Sequence, residues 1–142
     1  MFENIVGSSE INFLINLLFA LVCGMIVGLE RELKKKPAGI STQTLVIAGA
    51  MMFAYFSTTL GDGDPARIAA QIVSGVGFLG AGIILKSEKK GTVTNLTTAA
   101  SIWYAAGIGM ALGFNLHFHA FAATVFAVII ARIPHSKKYI ED

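Results

Sequence analysis

Apolar residues fall in five runs along this chain, at 11–29, 42–60, 67–85, 96–114 and 117–131, and polar residues gather between them. Four runs are 19 residues long and the fifth is 15. At ~1.5 Å of rise per residue, a run of that longer length spans nearly the ~30 Å hydrocarbon core of a bilayer. A backbone in lipid must satisfy its own hydrogen bonds, so each run predicts a transmembrane helix. The expected fold is all-α, a polytopic bundle of about five spans forming one domain over residues 1–142.

Small residues recur at fixed spacing inside these runs. Ala20, Gly24 and Gly28 are four apart in the first. Thr97, Ser101, Ala105, Gly109 and Gly113 keep the same spacing in the fourth. The third carries Gly75, Gly77, Gly80 and Gly82 within eight residues. Lipid supplies no hydrophobic drive for helices to associate, so such residues favour close packing of backbones. The three faces are expected to meet one another or a second copy, and leucine at Gly77 or Gly80 to disrupt that packing. The fifth run, with Phe118, Phe121 and Phe126, reads as plain lipid-compatible helix.

The connections carry their own signals. Pro37 and Gly39 mark a tight turn, and Ser41 to Thr44 offer capping chemistry at the start of the second run. Gly61 to Pro65 is a polar turn with its proline placed to open a helix. Residues 86–95 read as loop, with a short surface helix as the alternative.

Charge adds orientation. Of the eleven Lys and Arg residues, all but Arg67 fall in the segments after runs one, three and five. The opposite segments hold Glu3, Glu10, Asp62 and Asp64. Positive residues in short loops stay cytoplasmic, which puts the N-terminus outside and the C-terminus inside. Only 14% of residues are charged, against about a quarter in soluble domains. The formal net charge of +2 comes from bases beside span ends, so anionic headgroups and topology account for it, not nucleic acid. Glu3 and Glu10 precede the first run and no small-residue cleavage site follows it, so it reads as a retained helix, not a secretory signal. Cys23 is the sole cysteine, which rules out an intrachain disulfide.

Candidate chemistry is sparse. Residues 75–80 match G-x-G-x-x-G, but they lie within an apolar run, without the following acidic residue that a dinucleotide site needs. His117 and His119 sit two apart in the outer turn; they are solvated loop residues or a weak outer cation or proton site. Glu30, Arg31 and Glu32 end the first run, either as an interfacial anchor or as a cluster contacting other spans. Arg67 opposes the charge bias, and Gln71 and Ser74 continue a polar stripe from it; an ion pair with Asp62 or Asp64 is the alternative. Asn95, Thr97, Thr98 and Ser101 open the fourth run with capping and interhelical hydrogen-bonding groups. Trp103 and Tyr104 fall mid-run, where their polar tips need partners, and they are expected to line an internal cavity with the third-run glycines. No catalytic constellation, metal-ligand set or cofactor motif emerges, so the expectation is a protein that is not an enzyme and carries no cofactor or metal.

Four segments together resemble the MgtC/SapB family of bacterial membrane proteins: GMIVGLERE at 24–32, KPAGIST at 36–42, RIAAQIVSGVGFLGAG at 67–82 and LTTAASIW at 96–103. One departure is Asn95, where that family commonly has glycine. The resemblance implies a multi-pass inner-membrane domain without the C-terminal soluble domain of the family's longer branch. It also implies a role in adaptation to low magnesium, acid or life inside a host cell, and, for the virulence-factor branch, restraint of the rotary ATP synthase. The leading expectation is thus a regulatory protein acting through another membrane complex or as a homo-oligomer. The alternative is a small transporter or channel with a polar path along the third span.

The orientation has a direct check. A reporter fused after Asp142 is expected on the cytoplasmic side and one inserted near Gly63 on the outside. Cysteine labelling that puts both on one side contradicts the assignment.

Overall fold

A computed structural model describes residues 7–59, 64–85 and 94–134. They form five helices and no strand: α1 (Ser8–Leu33), α2 (Ile40–Thr59), α3 (Pro65–Leu85), α4 (Leu96–Gly113) and α5 (His117–Arg132). Four of these are long and apolar enough to cross a membrane. Helix α5 is the exception: its 16 residues rise about 24 Å, short of the ~30 Å core. The expected fifth span is a shorter apolar helix packed against α1 and α4. It still runs from Asn16 near one end of α1, met by His117, to Lys34 at the other, met by Ala131. Helix α1 is longer than its apolar run, with 26 residues and a length of about 39 Å. Glu30, Arg31 and Glu32 consequently belong to its last turns and do not follow it.

Helix α2 occupies the centre, packed on α1, α3 and α4. Its residues Ile47, Met51 and Ala54 are wholly buried: Ile47 and Met51 meet Ala20, Cys23 and Val27 of α1 and Ala105, Ile108 and Leu112 of α4 in the core, and Ala54 packs with Ile72 of α3 and Ala106 of α4. The small-residue stripes explain how three helices come so close. A Cβ built on Gly24 would lie 2.5 Å from Thr44 Cα, and one on Gly28 would lie 2.6 Å from the Ile40 nitrogen. On the other side of α2, a Cβ on Gly109 would strike the Ile47 carbonyl and come within 2.9 Å of Ala50 Cβ. One on Gly113 would come within 2.9 Å of the Tyr55 nitrogen. The stripes of α1 and α4 thus meet α2, not each other as expected.

The third stripe departs further. Gly80 faces Ala99 at 3.5 Å, but Gly75, Gly77 and Gly82 have nothing within 4 Å among the described residues. The reason is helical geometry. Residues four apart share a face, whereas 75, 77, 80 and 82 advance in steps of two and three and spread around the helix. Helix α3 accordingly lies at the edge of the bundle, with Ile72 its buried apolar anchor. The 86–93 connection and Asp62 lie outside the described residues.

These contacts give alanine substitutions opposite signs. Gly109→Ala is expected to lower stability by about 1–3 kcal/mol, because a Cβ meets fixed backbone. Gly77→Ala is expected to be neutral or to raise stability by up to about 1 kcal/mol through helix propensity. Melting of both variants in the same micelles checks this; equal losses would contradict the packing.

Candidate functional site

The charged end of α1 builds the densest polar arrangement. Arg31 retains only 3% of its exposure although its side chain is a full cation. Its Nε and Nη2 donate to the Pro37 carbonyl at 3.3 and 3.2 Å, and Nη2 also donates to the Thr98 hydroxyl of α4. A guanidinium suits this because its planar donors point in several fixed directions at once. Glu32 Oε1 accepts the Ile40 N–H at 2.9 Å, satisfying a free donor at the start of α2. Glu30 turns the other way and pairs with Lys34 at 2.6 Å, whose ammonium also donates to the Ala131 carbonyl of α5. The three consecutive charges thus reach the α1–α2 turn, α4, α2 and, through Lys34, α5.

The network continues into α2 and α4. Ser101 Oγ donates to the Thr98 carbonyl at 2.8 Å and accepts from Gln43 Nε2 at 3.2 Å. Gln43, with no exposed surface, also donates to the Ala38 carbonyl at 3.3 Å. The turn it holds is strained, since Lys35 and Ala38 have φ of 52° and 61°. Asn95 takes the same left-handed region at φ 62°, immediately before α4. Asparagine tolerates that conformation next best after glycine, which accounts for the residue standing there. Of the expected polar residues, Arg31, Glu32, Thr98 and Ser101 are brought together, with Thr97 on the adjoining exposed side of α4.

Arg67, Gln71 and Ser74 are not part of it. All three are exposed on α3. Gln71 lines a groove of about 510 Å³ between α2 and α3, walled by Leu45, Phe53, Ile68 and Leu79. Asp64 caps the start of α3, accepting the Ala66 N–H at 2.9 Å. Trp103 keeps 52% of its exposure on the outside of α4, so it does not share an internal cavity with the α3 glycines as expected. Tyr104, its neighbour, turns toward α5 and donates to the Ala123 carbonyl at 3.1 Å.

Tyr104 instead borders a cavity of about 370 Å³ between α1, α4 and α5. Its walls are apolar, among them Val27, Ala100, Phe126 and Ile130, while Glu30, Arg31 and Lys36 stand at one edge.

A second polar cluster lies at the opposite end. Asn16, wholly buried, donates from Nδ2 to Asn115 Oδ1 at 2.8 Å and accepts at Oδ1 from His117 Nε2 at 2.7 Å. His117 is the first residue of α5, not a loop residue, and its ring lies 5.2 Å from that of Phe19. His119 is exposed. Among the described residues no three His, Cys, Asp or Glu side chains gather as a metal site would require. Asn16 and Gln43 are the two central polar residues that the sequence reading missed. Each was legible from spacing: Asn16 stands four before Ala20 on the small-residue stripe, and Gln43 four before buried Ile47.

Comparison with known proteins converges on one family. The MgtC family model matches residues 17–138. Protein MgtC of Salmonella typhimurium is 44% identical over 113 residues, covering 80% of this chain and 48% of that protein. Protein MgtC of Brucella abortus is 46% identical over 112 residues, covering 78% and 46%. A Haemophilus influenzae protein named only as uncharacterized is 43% identical over 128 residues, covering 82% and 53%. The chain spans about half the length of these relatives. No solved structure matches. The matched region takes in the Arg31 network, the α1 and α4 stripes and all five helices in whole or large part, so the chain is a membrane protein that belongs to the MgtC family.

Proposed function

We propose that this is a non-enzymatic regulatory protein of the bacterial inner membrane that acts by lateral helix contact with another membrane complex. Its setting is the adaptation to low magnesium, acid or intracellular stress that the MgtC/SapB resemblance implies. The rotary ATP synthase is the partner that the same resemblance suggests. The orientation is N-terminus out and C-terminus in, following the basic residues.

The observation that carries this reading is the state of α3. Its Gly75 and Gly82, seven apart and so on one side of the helix, offer close-approach surface that no described residue uses. The adjoining α2–α3 groove presents Phe53, Ile68 and Leu79 with the amide of Gln71 among them. Small residues plus a polar group on an apolar face are what helix association in lipid relies on. A transport path finds less support. Arg67, Gln71 and Ser74 are exposed on α3, and inside the bundle Arg31, Thr98, Ser101 and Gln43 are linked by hydrogen bonds, although Gln43 Oε1 and Thr44 Oγ1 are buried without one.

Gly75→Leu, on the groove side of α3, separates folding from function on this account. Expressed in place of the native protein, it should insert at normal abundance and melt like wild type, yet lose both the co-purified membrane partner and growth at limiting magnesium. Arg67→Gln, at the end of the same helix, should lose growth likewise. Wild-type growth and capture by both variants would contradict the proposal.

A further inference from the structure

The cavity between α1, α4 and α5 combines two surfaces that one class of ligand matches. Its interior is almost wholly apolar, and its volume of about 370 Å³ falls within the roughly 300–1,000 Å³ of small-molecule sites. Val27, Ala100, Tyr104, Phe126 and Ile130 wall it. Its charged edge lies where the last turns of α1 and α5 meet the first turn of α4, the end of the bundle that bears Arg31, Lys34, Lys35, Lys36 and Arg132. Glu30 at this edge is already answered by Lys34 at 2.6 Å. Arg31 and Lys36 are therefore the surplus charge of the rim.

Arg31 is also built for the task. Its Nε and Nη2 are committed to Pro37 and Thr98, which fixes the guanidinium plane. Nη1 takes no part in those bonds, and a fixed guanidinium is a preorganised donor for phosphate. Apolar walls beneath a cationic rim at the membrane surface are complementary to an acyl chain beneath a phosphate headgroup. A free anion would use the rim and leave the walls bare; a neutral lipid would use the walls and leave the rim unanswered.

We propose that this cavity is a binding site for one anionic phospholipid, its acyl chain between α1, α4 and α5 and its phosphate at Arg31 and Lys36. The site lies away from the α3 face and does not depend on how that face is used. An occupant here would brace α5, the short helix, against α1 and α4.

The test is a native mass-spectrometric titration of the purified, delipidated full chain with phosphatidylglycerol and with phosphatidylcholine of identical acyl chains. Wild type should bind one phosphatidylglycerol at least tenfold more tightly than phosphatidylcholine. Lys36→Gln should weaken that binding roughly fivefold, the effect of about one basic residue near an anionic headgroup. Ala100→Phe, filling the cavity from an exposed position, should abolish it while elution and helicity stay as in wild type. Millimolar inorganic phosphate should not displace the lipid. Equal affinity for the two lipids, retention of phosphatidylglycerol by Ala100→Phe, or displacement by phosphate would each overturn the site. If Ala100→Phe does not fold, the headgroup comparison and Lys36→Gln decide alone.

Discussion

The architecture turns on a buried cation. An arginine taken out of water near the edge of a hydrocarbon layer must find fixed acceptors, because an uncompensated charge there is expensive. Arg31 finds them in the Pro37 carbonyl and the Thr98 hydroxyl. The first choice pulls the α1–α2 turn back beneath α1, and the second ties α1 to α4 across it. With the turn so held, α2 can start at Ile40 directly against Gly28, and the α1 and α2 backbones remain in contact up to Gly24 and Thr44. The left-handed conformations at Lys35 and Ala38 are the local cost, of order 1–2 kcal/mol each, and the network offsets them.

From that anchor the bundle divides into a fixed part and a free part. Helices α1, α2 and α4 share the core and the internal hydrogen bonds at the Arg31 end, and the Asn16–Asn115–His117 cluster ties α1 to the α4–α5 connection at the other. Helix α3 packs on α4 and α2 through few buried residues, among them Ile72 and Gly80, leaving Gly75, Gly77 and Gly82 open. On the far side, α5 leans on α1 and α4 and leaves the cavity whose edge the same Arg31 borders.

How much of this the sequence disclosed depended on whether the signal was periodic. The stripes through Gly24–Gly28 and Gly109–Gly113 repeat every four residues and do mark close contacts. Their partner is α2, which meets the α1 glycines at Ile40 and Thr44 and the α4 glycines along Ile47, Ala50, Met51 and Ala54. With only Ala50 and Ala54 as a short small-residue pair, its central place was not legible. The α3 glycines looked strongest by number, yet number without common phase does not make a face. For the Glu30–Arg31–Glu32 cluster the sequence left two readings, an interfacial anchor or a contact with other spans, because its three separate directions required the turn at Pro37 to be in place. Trp103 and Tyr104, adjacent in sequence, separate because neighbours on a helix point about 100° apart. The length of α5 was visible in the fifth run, which has 15 residues where the others have 19.

The central claim is that Arg31 and Thr98 act as one unit joining α1 to α4. A double-mutant cycle with Arg31→Gln, Thr98→Val and the pair, read as unfolding free energy in lipid bicelles, measures it most directly. Residues in contact couple by about 0.5–3 kcal/mol, and a charged hydrogen bond belongs in the upper part of that range. The account predicts a coupling of at least about 1 kcal/mol, with the double variant little worse than Arg31→Gln alone. Losses that add within about 0.5 kcal/mol would mean that the two side chains do not depend on each other, and would contradict it.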